Sequence, residues 1–115
     1  MTPDYREQYL KYCKDLNHCF TKEGVKKHNA AMKELAKLFR LLKSETERSF
    51  LLDLLQNEDK HTRLSVAAHC LGLGIYIAEA EKCLNLIAKD KSDSFSAFEA
   101  QSTLDVWKRQ GYLDF

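Results

Sequence analysis

Proline is nearly missing from this chain of 115 residues and glycine is scarce: Pro3 stands alone near the start, with only four glycines behind it. Helices can therefore run long between a few polar breaks. Long apolar runs are missing as well. The longest, Leu71 to Ala78, falls short of the roughly 18–20 residues that a membrane span needs. The N-terminus lacks the basic-then-apolar order of a secretion signal, so a soluble, cytoplasmic protein is expected. No segment alternates apolar and polar residues with period two over a useful length, which argues against strands. Phosphate-cradling glycine loops, helix-borne metal-ligand motifs and nucleophile elbows are also lacking.

Cysteine and histidine are present, but not in patterns that carry chemistry. Cys13, Cys19, Cys70 and Cys83 do not fall into the C-x₂₋₄-C pairs of structural zinc sites. Each lies on or beside an apolar helical stripe, where a reduced thiol behaves as a small hydrophobe. His69 adjoins Cys70 and His18 adjoins Cys19. Sequence neighbours on a helix point about 100° apart, so neither couple makes a Cys–His dyad by itself. His28 sits on an apolar stripe and His61 in a corner before a helix, both positions that read as structural. The chain is therefore read as non-enzymatic, with no catalytic residue, metal ligand or cofactor assigned.

What the chain does contain is helical periodicity. Tyr5, Tyr9, Tyr12, Leu16 and Cys19 recur at spacings of four and three, which predicts a first helix from about Asp4 to Phe20. After a polar break at Thr21 to Gly24, the residues Val25, His28, Met32, Leu35, Phe39 and Leu42 form the stripe of a second. Ser44 and Glu47 have capping-box spacing, which predicts a third helix from about Glu45. A fourth follows the polar corner after Gln56. A fifth is expected from about Ile75 to Lys89, and a sixth from about Ser94 to Gln110 with Gly111 as its end cap. At 44% hydrophobic content the chain has enough material for one continuous core, hence one domain over residues 1–115.

The segment Leu51 to Leu71 carries a more specific pattern. Asp59 at the corner, Arg63 one helical turn on, the Ala67–Ala68 pair and Leu71 resemble the HEAT repeat signature, with Thr62 standing where an apolar β-branched residue is usual. The apolar identities of Leu51, Leu54, Ala67 and Leu71 return further down the chain, all at one constant offset, as Leu84, Ile87, Ala100 and Leu104, while the Asp and the Arg do not return, which makes the second copy degenerate. A period in the thirties is that of a two-helix solenoid unit. The resemblance implies an all-α fold: six helices in three antiparallel hairpins forming a short HEAT/ARM-like α–α superhelix. It also implies that Asp59 and Arg63 brace the corner through hydrogen bonds along the stack. The whole chain further resembles a small bacterial family of HEAT-like domain-of-unknown-function proteins, through Asn29, the leucine-rich third helix, Arg63 with Ala67–Ala68, and Leu104, Trp107, Gly111 and Leu113. That likeness supplies no catalytic motif and no ligand.

The net charge of +1 hides an asymmetry. Residues 1–44 carry ten Lys or Arg against five Asp or Glu, and residues 45–115 carry eight against twelve. Lys26, Lys33, Lys37 and Arg40 form a basic stripe on the second helix. The acidic half suits a basic partner, with Asp53, Glu58, Asp59, Glu79, Glu81, Asp90 and Asp93 as the candidate partner-binding residues. The function expected is protein binding, as an immunity protein that neutralises a basic, possibly nuclease, toxin domain. The alternatives are a nucleic-acid-binding HEAT-like protein using the basic stripe, which lacks the overall basicity such domains show, and an adaptor subunit of a larger complex.

Overall fold

A computed structural model describes residues 4–17, 21–46 and 48–113, and every regular element among them is helical. Six α-helices follow in order: α1 Tyr5–Lys14, α2 Lys22–Leu42, α3 Phe50–Leu54, α4 Lys60–Leu73, α5 Ile77–Ala88 and α6 Ser94–Gln110, with a 3₁₀ turn at Asp15–Asn17 between the first two. Four helices start on a side-chain cap. Asp4, Thr21, Asp59 and Asp93 accept from the backbone N–H of Glu7, Gly24, Thr62 and Ser96 respectively, each bond satisfying a donor the first helical turn leaves open. Two helices end on glycines with left-handed backbone, Gly74 at φ 74° and Gly111 at φ 75°, a conformation that a Cβ penalises.

Two expected boundaries move. The first helix gives way to the 3₁₀ turn after Lys14, and Cys19 and Phe20 lie outside the described residues. The third helix begins at Phe50 rather than Glu45. Ser44 does not cap it: its hydroxyl donates to the Leu41 carbonyl at the end of α2 (3.2 Å), and Glu47 lies outside the described residues. The run Ser44 to Ser49 holds no apolar side chain. A helix there would bury nothing to offset its nucleation cost, so α3 starts at the first apolar residue.

The core is organised around α4, which packs against each of the other five helices. Its residues Thr62, Leu64, Val66, Ala67, Ala68, His69, Cys70 and Leu71 are buried, on all sides of the helix. Ala67 is fully buried, and Gly72 meets α2 so closely that a Cβ there would stand 2.7 Å from the Phe39 ring. The radius of gyration, 13.5 Å, is near the roughly 13 Å of a compact domain of about this length.

The residue at the apolar β-branched position of the corner motif has its own bonding role. Thr62 is buried, and its hydroxyl donates to the same Asp59 carboxylate that its backbone N–H reaches (2.8 and 3.1 Å). Asp93 and Ser96 repeat this arrangement at the start of α6, hydroxyl at 2.8 Å and backbone N–H at 3.1 Å. The corner Asp does return, therefore, displaced by a single position from the offset of the apolar residues, because the step from cap to core alanine is shorter in α6 (Asp93 to Ala100) than in α4 (Asp59 to Ala67). Asp59 serves its own helix rather than bracing the stack, and the Arg63 Nε is buried without a hydrogen-bond partner.

Candidate functional site

The seven candidate acidic residues divide into two groups. Asp59, Asp90 and Asp93 have internal work. Asp59 and Asp93 are caps, and Lys60 reaches from α4 to the loop before α6, placing its ammonium 2.7 Å from Asp90 and 3.7 Å from Asp93. The Lys60 hydrogen bond and two further bonds from Ser92 hold the Asp90 carboxyl well below the usual carboxylate range. Bonds from the Ser96 backbone and hydroxyl, with Lys60 and His61 nearby, lower Asp93 in the same direction. Lys60 is in turn raised, chiefly by its bond to Asp90.

Asp53, Glu58, Glu79 and Glu81 take part in no ion pair among the described residues. Asp53 on α3, Glu58 in the corner before α4 and Glu79 in the first turn of α5 are exposed, and Glu81 is half-buried. Of the seven, then, the fold brings Asp90 and Asp93 together around one lysine and leaves four side chains open to an outside cation. On α2, Lys26, Lys33, Lys37 and Arg40 are all exposed, as the stripe predicts. Lys37 is paired with Glu34 at 3.2 Å.

A second feature is a groove of about 480 Å³. Its floor is α4 at Leu64, Ser65, Ala68 and His69. One wall is α2, with His28, Met32 and Lys33, and the other is α6, with Phe95 and Glu99. Met32 belongs to the expected apolar stripe, yet with Val25 it stays exposed, because the buried line on α2 runs through Ala31, Leu35, Leu38, Phe39 and Leu42. The histidine in the floor is a core residue. The Tyr9 hydroxyl and His69 Nδ1 are hydrogen-bonded at 2.7 Å, and the imidazole packs against the rings of Tyr9 and Phe39. Burial lowers His69 to about 3 and raises Tyr9, so both are neutral near pH 7.

The thiols are equally withdrawn. Cys13, Cys70 and Cys83 are buried and free, and Cys19 lies outside the described residues. Burial pushes Cys70 up to about 12 and Cys13 to about 11. A protonated, inaccessible thiol is a poor nucleophile. No group of three or more His, Cys, Asp or Glu side chains with metal-binding geometry occurs among the described residues. No helix among them is long and apolar enough to cross a membrane.

No family model, curated protein or solved structure matches the chain. The open acidic side chains were legible as a charge imbalance. The groove was not, because it depends on two helices far apart in the sequence being held off each other by α4. Its one sequence signal is a pair of large apolar residues, Met32 and Phe95, that α4 does not need for its core.

Proposed function

We propose that this chain is a non-enzymatic protein-binding module, built as three helical hairpins, α1–α2, α3–α4 and α5–α6, in a HEAT-like stack. Its partner is a basic domain, and an immunity protein that blocks a bacterial toxin is the category that fits best. The stacked-hairpin reading is supported by the repeated Asp–Thr and Asp–Ser caps at the starts of α4 and α6. The observation that carries the functional reading is the set of acidic side chains left without an internal cation: Asp53, Glu58, Glu79 and Glu81. Open carboxylates on a rigid helical scaffold steer a basic partner into encounter, and blocking it needs no chemistry. Asp59, Asp90 and Asp93 contribute to the same negative field while holding the fold.

The test is co-expression with the product of the neighbouring gene, followed by toxicity and pull-down assays. Charge reversal at Asp53, Glu58, Glu79 and Glu81 should slow association and weaken its salt dependence, whereas reversal at Lys26 and Lys37 should do little. A neighbour that is harmless and does not co-purify contradicts the reading. So does a protein that binds DNA or RNA with steep salt dependence and loses that binding on the lysine reversals, which is the behaviour of the nucleic-acid alternative.

A further inference from the structure

The two walls of the groove between α2 and α6 differ in character. The α2 wall presents Asn29 and Lys33, exposed and one helical turn apart, so that their side chains are neighbours. His28 lies half-buried on the same wall, and its Nδ1 is buried without a hydrogen-bond partner. The α6 wall presents a single charged group, the exposed Glu99. Neither Lys33 nor Glu99 is in an ion pair among the described residues. Between the walls the floor is apolar at Leu64 and Ala68, and Met32 and Phe95 flank it, 47% and 69% exposed. At about 480 Å³ the groove falls within the roughly 300–1,000 Å³ of small-molecule sites.

We infer that this groove binds a small amphipathic monocarboxylate, an alkyl or arylalkyl acid, with its carboxylate on the α2 wall and its apolar body over Leu64 and Ala68. The head group follows from the donors. The Lys33 ammonium and the Asn29 amide N–H next to it offer one charge-assisted bond and one neutral bond. With its proton on Nδ1, the His28 imidazole offers a third. A carboxylate accepts all three, because its two oxygens carry about four lone-pair sites and no donor of their own. A buried polar atom without a partner destabilises the fold until one is supplied. Glu99 sets the direction of binding, since it repels a carboxylate from the α6 wall. An amine would find Glu99 there and leave the α2 donors unmet. The tail follows from the floor: an apolar body laid on Leu64 and Ala68, between Met32 and Phe95, removes apolar surface of both ligand and protein from water.

The floor is part of the buried helix α4, so the site exists before the ligand arrives. Only exposed side chains such as Met32, Lys33 and Phe95 have to settle on it, which keeps the ordering cost of binding low. None of the open carboxylates at 53, 58, 79 and 81 lines the groove, so the ligand site and the partner-binding reading stand or fall independently.

Calorimetric titration of the full chain with hexanoate, octanoate and decanoate, each kept below its micelle concentration, tests the inference. Decylamine is the control, and circular dichroism confirms that each variant folds. The expected result is saturable one-to-one binding that tightens by about two- to four-fold per added methylene, with decanoate bound more tightly than decylamine. Lys33→Glu should weaken decanoate binding by about ten-fold or more, and Lys33→Arg should largely keep it. Ala36→Phe, which fills the groove from the α2 wall, should abolish binding, whereas Glu99→Gln should tighten it. Reversing Asp53, Glu58, Glu79 and Glu81 should leave it unchanged. Absence of saturable decanoate binding would overturn the inference. So would decylamine binding as tightly as decanoate, or decanoate binding indifferent to either Lys33→Glu or Ala36→Phe.

Discussion

The longest helix of this molecule, α2, and its most enclosed one, α4, solve opposite problems. Helix α2 is 21 residues long and buries one line of side chains, leaving lysines, Val25, Met32 and Leu41 in water. Helix α4 is 14 residues long and buries eight of them on every side. An amphipathic helix needs only a stripe, and its outer face is free to vary. A helix surrounded by five others must pack small residues where neighbours come close and must satisfy its polar atoms internally. Ala67 and Gly72 meet the first demand, while Thr62 and His69, bonded to Asp59 and Tyr9, meet the second. Stability therefore resides in α4, and the surfaces it holds in place are free to vary.

That contrast is broken most severely by volume at the hub. Ala67→Leu adds three carbons where nothing is exposed, and should destabilise by about 1–3 kcal/mol, read from the midpoint of urea unfolding. The same change at Lys33 or Lys37 on α2 should move the midpoint hardly at all. A neutral Ala67→Leu would mean that α4 has room on that side.

Acid probes the same helix more gently. His69 binds a proton less readily in the folded state than in the unfolded chain, where imidazole titrates near 6.5. Below that value the unfolded state takes up the proton and the folded state does not, so stability is full above it and falls as pH drops toward about 3. The expected loss is about 1 kcal/mol between about pH 7 and about pH 5.5. It is measured by unfolding at each pH, and the His69 ring resonances should not titrate over that interval while the protein stays folded. Titration of the folded imidazole near its ordinary value would contradict the buried placement.

The Lys60 clasp should matter least. All three of its side chains are partly exposed, and such pairs contribute about 0–1 kcal/mol. Lys60→Met should cost no more than that at low salt and less at high salt. A loss of several kcal/mol would make the α4–α6 link, rather than the core of α4, the main support of the C-terminal helices.

How much of this was legible depended on whether local signals agreed. Helix α6 was read to the residue, Ser94–Gln110 with Gly111 as its cap, because its polar start, apolar spacing and glycine stop coincide. Helix α3 was not, because a correct capping spacing at Ser44 preceded a segment with nothing to bury. The corner aspartate was visible as a motif and Thr62 as a departure from it, but their role was not: only the bond from Thr62 to Asp59 shows that the pair closes one helix. The same holds for the candidate site. Charge imbalance is additive and can be counted along a chain, whereas Lys60 claiming Asp90 and Asp93 is a contact between distant parts of it. The groove, and the exposure of Phe95 and Phe98 beside it, depend on three helices at once.

Amide hydrogen exchange, read residue by residue in dilute protein, tests the hub most directly. Amides protected only by global unfolding exchange slowest. These should be concentrated in α4 from Leu64 to Leu71, with the outward half of α2 and the start of α6 exchanging faster. If α2 or α6 held the slowest amides and α4 opened ahead of them, α4 would not be the element on which the rest of the molecule is built.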